Sequence, residues 1–245
     1  MVQARIDVTT QDGVIDCHVF RPNGDGPWPP VLFYMDAFGV RPALASMAER
    51  LASHGFVVAI PNLYYRSGSY APFDSSKVFT EGPERDRFKG MIASISDTKV
   101  MRDTASVLEA LDRLPFVRPG PTAAVGYCMG GGFALSAAGT FPERVVTAAS
   151  FHGGGLATDK PDSPHLLAAK MRGRIYVGAA GIDPSFTTEQ EARLKRALDD
   201  AGVQYMFERY EGARHGFAVT GHPVYEHEAS ERHWQVLLRQ LQAEL

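Results

Sequence analysis

The feature that most limits what this chain can fold into is a recurrence of short, wholly apolar runs separated by stretches with helical spacing. Val31-Leu32-Phe33-Tyr34-Met35, Phe56-Val57-Val58-Ala59-Ile60 and Ala123-Ala124-Val125-Gly126-Tyr127 are too short for helices and have no polar side, which suits strands buried on both faces. Between the first two, Leu44, Met47, Ala48 and Leu51 form one helical stripe that Gly55 closes. The same alternation predicts strands near 145–151, 174–179 and 203–209, and helices over 97–114, 131–140, 187–201 and 224–244. Repeated strand–helix units imply an α/β fold: a mostly parallel central sheet with helices on both faces. Ahead of them, Ile15, Cys17 and Val19 alternate with Val14, Asp16, His18 and Phe20, so two antiparallel starter strands are expected near 3–9 and 14–20. Residues 64–90 are rich in Ser, Gly, Pro and charge without a period, and they read as a long loop, functional or mobile, that borders a site. No repeat and no linker divides the chain, so residues 1–245 read as one domain with no separate cap.

A formal charge of −3 leaves no basic field to gather phosphates or anionic lipid, so neither nucleic acid nor a membrane is an expected partner. The most apolar stretch, residues 123–139, is interrupted by glycines and is shorter than the roughly 20 residues a spanning helix needs. Two cysteines, Cys17 and Cys128, make neither a disulfide framework nor a thiolate metal site. The first ten residues are polar where an export signal would be apolar. A cytoplasmic protein acting on a small molecule, monomeric or a small homo-oligomer, is the expectation.

Gly126-Tyr127-Cys128-Met129-Gly130-Gly131 lies between a buried strand and a helix, the place of a nucleophile elbow. There the flanking glycines allow close packing, and the helix N-terminus both favours a thiolate and stabilises an oxyanion. Taken alone, Cys128 reads first as an inert, buried cysteine in a glycine-rich turn. Its company changes that reading. Asp183 follows one predicted strand and His215 another, so both fall at the C-terminal edge where open parallel sheets bind ligands, and the order nucleophile, acid, base is that of α/β hydrolases.

With these residues in place, the chain resembles the dienelactone hydrolase family, a capless α/β-hydrolase branch that uses Cys-His-Asp. The resemblance rests on the cysteine motif, on Met35-Asp36-Ala37-Phe38-Gly39-Val40, on Pro61-Asn62-Leu63-Tyr64 and on His215-Gly216-Phe217. It implies that Cys128 attacks an ester or lactone carbonyl, His215 carries the proton, Asp183 orients the imidazole, and the amides of Ala37 and Met129 form the oxyanion hole. It also implies substrate-binding or activating roles for Asp36, Arg87 and Tyr127, with Asp36 touching the Cys128 thiol or a nearby arginine such as Arg87; the alternative is a turn residue satisfied by local backbone N–H groups. The chain departs from the family at two places: Asp36 stands where a Glu is usual, and Val219 where an Arg that grips the substrate carboxylate is usual.

Other patterns carry less. His152, ahead of Gly153-Gly154-Gly155, either lines a cleft or, the preferred reading, is a packed histidine beside a backbone turn. His222, His227 and His233 are not at i, i+4 spacing, and His227-Glu228 lacks the second histidine of a zinc-binding helix, so no metal site is expected. Neither phosphate-binding glycine pattern is present, and no cofactor is implied. The expected activity is hydrolysis of a small ester or lactone through an acyl-enzyme. The alternatives are a carboxylesterase or thioesterase without a carboxylate requirement, and a silent ligand-binding member of the fold.

Overall fold

The computed structural model describes residues 1–74 and 77–245. Among these residues, eight strands form one sheet: β1 (Val2–Thr10), β2 (Gly13–Arg21), β3 (Pro30–Tyr34), β4 (Val57–Pro61), β5 (Thr122–Tyr127), β6 (Val145–Phe151), β7 (Arg174–Ile182) and β8 (Tyr205–Arg214). Six α-helices accompany them: α1 (Pro42–Ser53), α2 (Pro83–Ala93), α3 (Asp97–Asp112), α4 (Met129–Thr140), α5 (Thr188–Asp200) and α6 (His227–Glu244). The spatial order is β1-β2-β4-β3-β5-β6-β7-β8, with the β1/β2 and β2/β4 pairs antiparallel and the rest parallel.

Burial explains the pattern. Every residue of β3, β4 and β5 is buried, as strands covered on both faces must be. In β2, by contrast, Ile15, Cys17 and Val19 are fully buried while Val14 is exposed. The α4 helix is apolar on all sides and buried along nearly its whole length, which places it in the centre of the core.

Two expectations change. Residues 64–90 are not a continuous loop: a 3-10 turn spans Tyr65–Ser67, and α2 begins at Pro83. Residues 75 and 76 of that stretch lie outside the described residues. The α2 helix escaped the periodicity because only Phe88 and Met91 are buried, while Glu84, Arg85, Asp86, Arg87 and Lys89 face outward or bind neighbouring groups. Proline at its first position and acids in its first turn still mark a helix start. The last two strands also run longer than their apolar residues suggest: β8 continues to Arg214, paired with Ile182 beyond a register shift. Among the described residues, no helix is long and apolar enough to cross a membrane.

Strand order locates the functional edge. From β3 the chain steps to β4 on one side, then returns to β5 on the other, so β3 and β5 flank the point where winding reverses. Ligands of open α/β sheets bind outside the strand ends at such a point.

Candidate active site

Three strand pairings set the site. Tyr34 pairs with Gly126, Tyr127 with Phe151, and Ile182 with Arg214. The residues that follow each pair therefore leave the sheet side by side: Cys128 beside His152, and Asp183 beside His215. Cys128 and His152, with φ of 54° and 39°, are the non-glycine residues of positive φ among those described. Such backbone costs energy and is kept where surrounding structure enforces it. Here the enforcement is visible: the Cys128 N–H is shared between the Phe151 carbonyl at 3.1 Å and His152 Nδ1 at 3.2 Å. A Cβ on Gly126 would collide with the Gly130 carbonyl, and one on Gly130 with the Tyr34 carbonyl, so both glycines let the turn close against β3.

His215 Nδ1 donates to Asp183 Oδ2 at 2.7 Å, and the ring lines the same cleft as Cys128. Burial opposes the imidazolium, but hydrogen bonds to Asp183 and Cys128 and their negative charge outweigh it and hold His215 up at about 10. Burial likewise pushes the Asp183 carboxyl up, and the bonds from His215 and Ser185 overcome it, leaving Asp183 below its ordinary value. Ser185 gives both its backbone N–H, at 2.8 Å, and its hydroxyl, at 2.6 Å, to Asp183 Oδ1. Its hydroxyl also lies 3.1 Å from His215 Nδ1.

Met129 opens α4, so its amide has no acceptor inside the helix. The Asp36 carbonyl accepts the Gly39 N–H at 3.1 Å, which fixes the peptide plane that carries the Ala37 N–H on its opposite side. Ala37, Met129, Cys128 and His215 line one cleft of about 780 Å³. Its far wall is apolar, formed by Phe38, Phe79, Phe88 and Ile92.

Asp36 is buried at the cleft and meets a nearby arginine and a turn N–H as expected, but the arginine is Arg41 and not Arg87. Arg41 holds it with both guanidinium ends, at 2.5 and 2.7 Å, and the Phe38 N–H adds a third bond at 3.0 Å. Arg87 is turned away onto Glu84, at 2.7 and 2.9 Å, and onto the carbonyls of Ala71 and Pro72. Tyr127 is not at the cleft either. It is fully buried between the Phe33 and Phe151 rings, and its hydroxyl lies 3.0 Å from His233 Nε2. Because β5 alternates, a residue next to the nucleophile points into the core. Val219, likewise, is a core residue.

His152, Ser185 and Arg41 were not singled out by sequence reasoning as parts of this arrangement. For His152 a signal existed: it follows buried β6 as Cys128 follows β5, with glycines after it. Its Nδ1 accepts the Cys128 N–H, so the proton is on Nε2; that atom is buried without a partner among the described residues. Burial and the neighbouring His215, His233 and His222 push His152 well below the ordinary imidazole value, so the ring is neutral. Among the described residues, no group of three or more His, Cys, Asp or Glu side chains is placed to hold a metal ion.

A Synechocystis sp. protein provisionally named carboxymethylenebutenolidase is 27% identical over 98% of this chain and 96% of its own length. The carboxymethylenebutenolidase of a Pseudomonas species is 27% identical over 84% of this chain and 80% of its own. A Klebsiella pneumoniae structure, provisionally described as a dienelactone hydrolase, superposes with a TM-score of 0.85 at 22% identity, covering 98% of this chain and 97% of that one, and it shares the fold. Residues 15–245 match the dienelactone hydrolase family, so the chain belongs to that family of hydrolases acting on ester and lactone bonds.

Proposed function

We propose that the protein hydrolyses a small ester or lactone by covalent catalysis, with Cys128 as nucleophile, His215 as proton carrier and Asp183 as the group that orients it. The observation that carries this reading is that His215, bonded to Asp183 at 2.7 Å, lines one cleft with Cys128, a residue held at positive φ. The thiol proton passes to His215, and Cys128 Sγ attacks the carbonyl carbon. The carbonyl electrons move onto oxygen, which the amides of Ala37 and Met129 receive. Collapse breaks the carbon–oxygen ester bond, and the imidazolium protonates the departing alkoxide; in a lactone that alcohol stays on the acyl chain. Water then attacks the thioester with His215 as base, releasing the acid and restoring the thiol.

Asp36 acts on the oxyanion side. Its bonds to Arg41 and to the Phe38 amide close residues 36–41 into a rigid turn, and that turn holds the Ala37 N–H in place. A stopped-flow burst of p-nitrophenolate from p-nitrophenyl acetate, stoichiometric with protein and abolished by Cys128→Ala, is the expected result. Steady release without Cys128 would point instead to another nucleophile, and no release at all to a ligand-binding member of the fold.

A further inference from the structure

The cleft beside Cys128 has two unlike sides, and the one built around Phe38 is made mostly of apolar rings, with His222, whose burial disfavours a charge, edge-on to Phe38 at 5.7 Å. Phe38 and Phe88 lie with ring centroids 5.3 Å apart, and Phe79 completes a triangle at 6.3 Å from each. Phe79 is 68% exposed, an unusual state for a phenylalanine already in contact with two other rings. Ile182, across the cleft, is 55% exposed. An open apolar surface that is continuous with a reacting centre marks a place where a ligand completes the packing.

The cations near the cleft are accounted for just as clearly. Both ends of the Arg41 guanidinium are spent on Asp36. Arg87 is spent on Glu84 and on two carbonyls, and it borders a different cavity. Arg214 reaches the rim, but it is exposed to water, where pairing with a carboxylate is weak. In the interior of the cleft, Asp36 is matched by Arg41 and Asp183 by His215, so a thiolate at Cys128 leaves the site one negative charge in excess. A substrate carboxylate entering here meets that excess and no unspent cation.

We infer that the substrate is an uncharged ester whose acyl chain is apolar and long enough to lie on the Phe38–Phe79–Phe88 face, and that a carboxylate on that chain weakens turnover. This rests on the hydrolase reading given above. The test is a matched set of p-nitrophenyl esters: acetate, hexanoate, and the adipate monoester, which has the hexanoate length but ends in a carboxylate. Expected kcat/KM rises roughly 10-fold or more from acetate to hexanoate and falls back by a similar factor for the adipate, since a few methylenes in an apolar pocket are worth this much. In Phe79→Ala, checked for an unchanged melting transition, the hexanoate-to-acetate ratio should drop toward one, mainly through KM. Should that variant misfold, the wild-type ratios still decide. Adipate turned over better than hexanoate, with the preference lost in Arg214→Gln, would overturn the inference and leave the hydrolase mechanism standing. No cysteine-dependent turnover of any ester would remove the mechanism, and this inference with it.

Discussion

The two walls of the cleft are held by different forces. The strand-edge wall carries Cys128, His152, Asp183 and His215, each placed by the residue pair preceding it in the sheet and each bonded to another at 2.7–3.2 Å. The second, here called the helical wall, carries Phe88 and Ile92 of α2 with Phe79 from the turn ahead of it and Phe38 from the turn after β3, which touch by ring edges and side-chain contact alone. Hydrogen bonds are directional, so the first wall is set to within the tolerance of chemistry; ring contacts are broad in angle, so the second fits a class of shapes. Under the proposed mechanism, precision is thus concentrated where bonds are made, and tolerance where a substrate is recognised.

The largest effect that would break this division is on the nucleophile. Cys128→Ala should lower kcat/KM roughly 10⁴-fold or more, as removing a covalent nucleophile does elsewhere. Cys17 is fully buried in β2, where burial pushes its thiol well above the ordinary range. Native-state alkylation read by mass spectrometry should therefore mark Cys128 alone, and a first modification at Cys17 would reverse the assignment.

Next comes the carboxylate. Asp183→Asn should cost roughly 10³-fold in kcat, because the amide no longer fixes the imidazole tautomer or supports its charge. The pH profile sharpens this. With His215 held at about 10, kcat/KM should stay level past the ordinary imidazole value and fall near pH 10, as the imidazolium that protonates the leaving group is lost. Removing Asp183 takes away the strongest raising influence, so the alkaline limb should move to lower pH. Stability follows the same sign: the contribution of His215 is complete below its ordinary 6.5 and is lost as pH climbs through about 10. That of Asp183 is present above the ordinary carboxyl value and is lost as pH falls through its lowered one. An alkaline limb that stays in place in Asp183→Asn would show that the two side chains do not act together.

The strand-edge wall was legible in the sequence and the helical wall was not, and the reason is physical. Strands buried on both faces advertise themselves as unbroken apolar runs, and a nucleophile elbow needs glycines at fixed spacing, so Cys128, Asp183 and His215 could be placed at strand ends from composition and order. The resemblance to the family then supplied Ala37, Met129 and Asp36. Partners chosen by packing left no such mark. Arg41, five residues beyond Asp36, reads only as a helix start, whereas Arg87 in its charged run looked available and is in fact bound to Glu84. Tyr127 shares the cysteine motif by sequence but faces the opposite side of the strand. Phe79 and Phe88 lie in a stretch whose charge hides a helix with just two buried residues.

Asp36 joins the two walls, and its effect should be felt in stability more than in rate. Asp36→Asn removes one partner of a largely buried pair and leaves the Arg41 guanidinium, 23% exposed, without its counter-charge. A loss of about 2 kcal/mol is expected in chemical denaturation, lower than for a fully buried pair because water reaches the arginine. Arg41→Met should cost a similar amount, and the double variant less than the two together, since the pair is removed as a unit. Additive losses would mean that the bidentate contact does not form in solution, and the turn that carries Ala37 would need another anchor.

The smallest effect tests whether the strand-edge wall has a fourth chemical member. His152 and His215 lie with ring centroids 5.2 Å apart, yet one is pushed far down and the other up. The difference is their partners: His215 faces a carboxylate and a sulfur, while His152 accepts a backbone amide and is otherwise surrounded by rings. A neutral histidine in that position serves to orient the Cys128 backbone and takes no proton. His152→Phe keeps the ring packed against His215 and Phe217 but removes the acceptor, and the Cys128 N–H retains the Phe151 carbonyl at 3.1 Å. One hydrogen bond of two is lost, worth about 1 kcal/mol, so kcat should fall roughly 5-fold with KM little changed. The alkaline limb should not move, since no charge near His215 has been altered. A shift of that limb, or a loss as deep as that of Asp183→Asn, would place His152 among the groups that handle the proton, and the division between reacting and orienting residues would have to be redrawn around it.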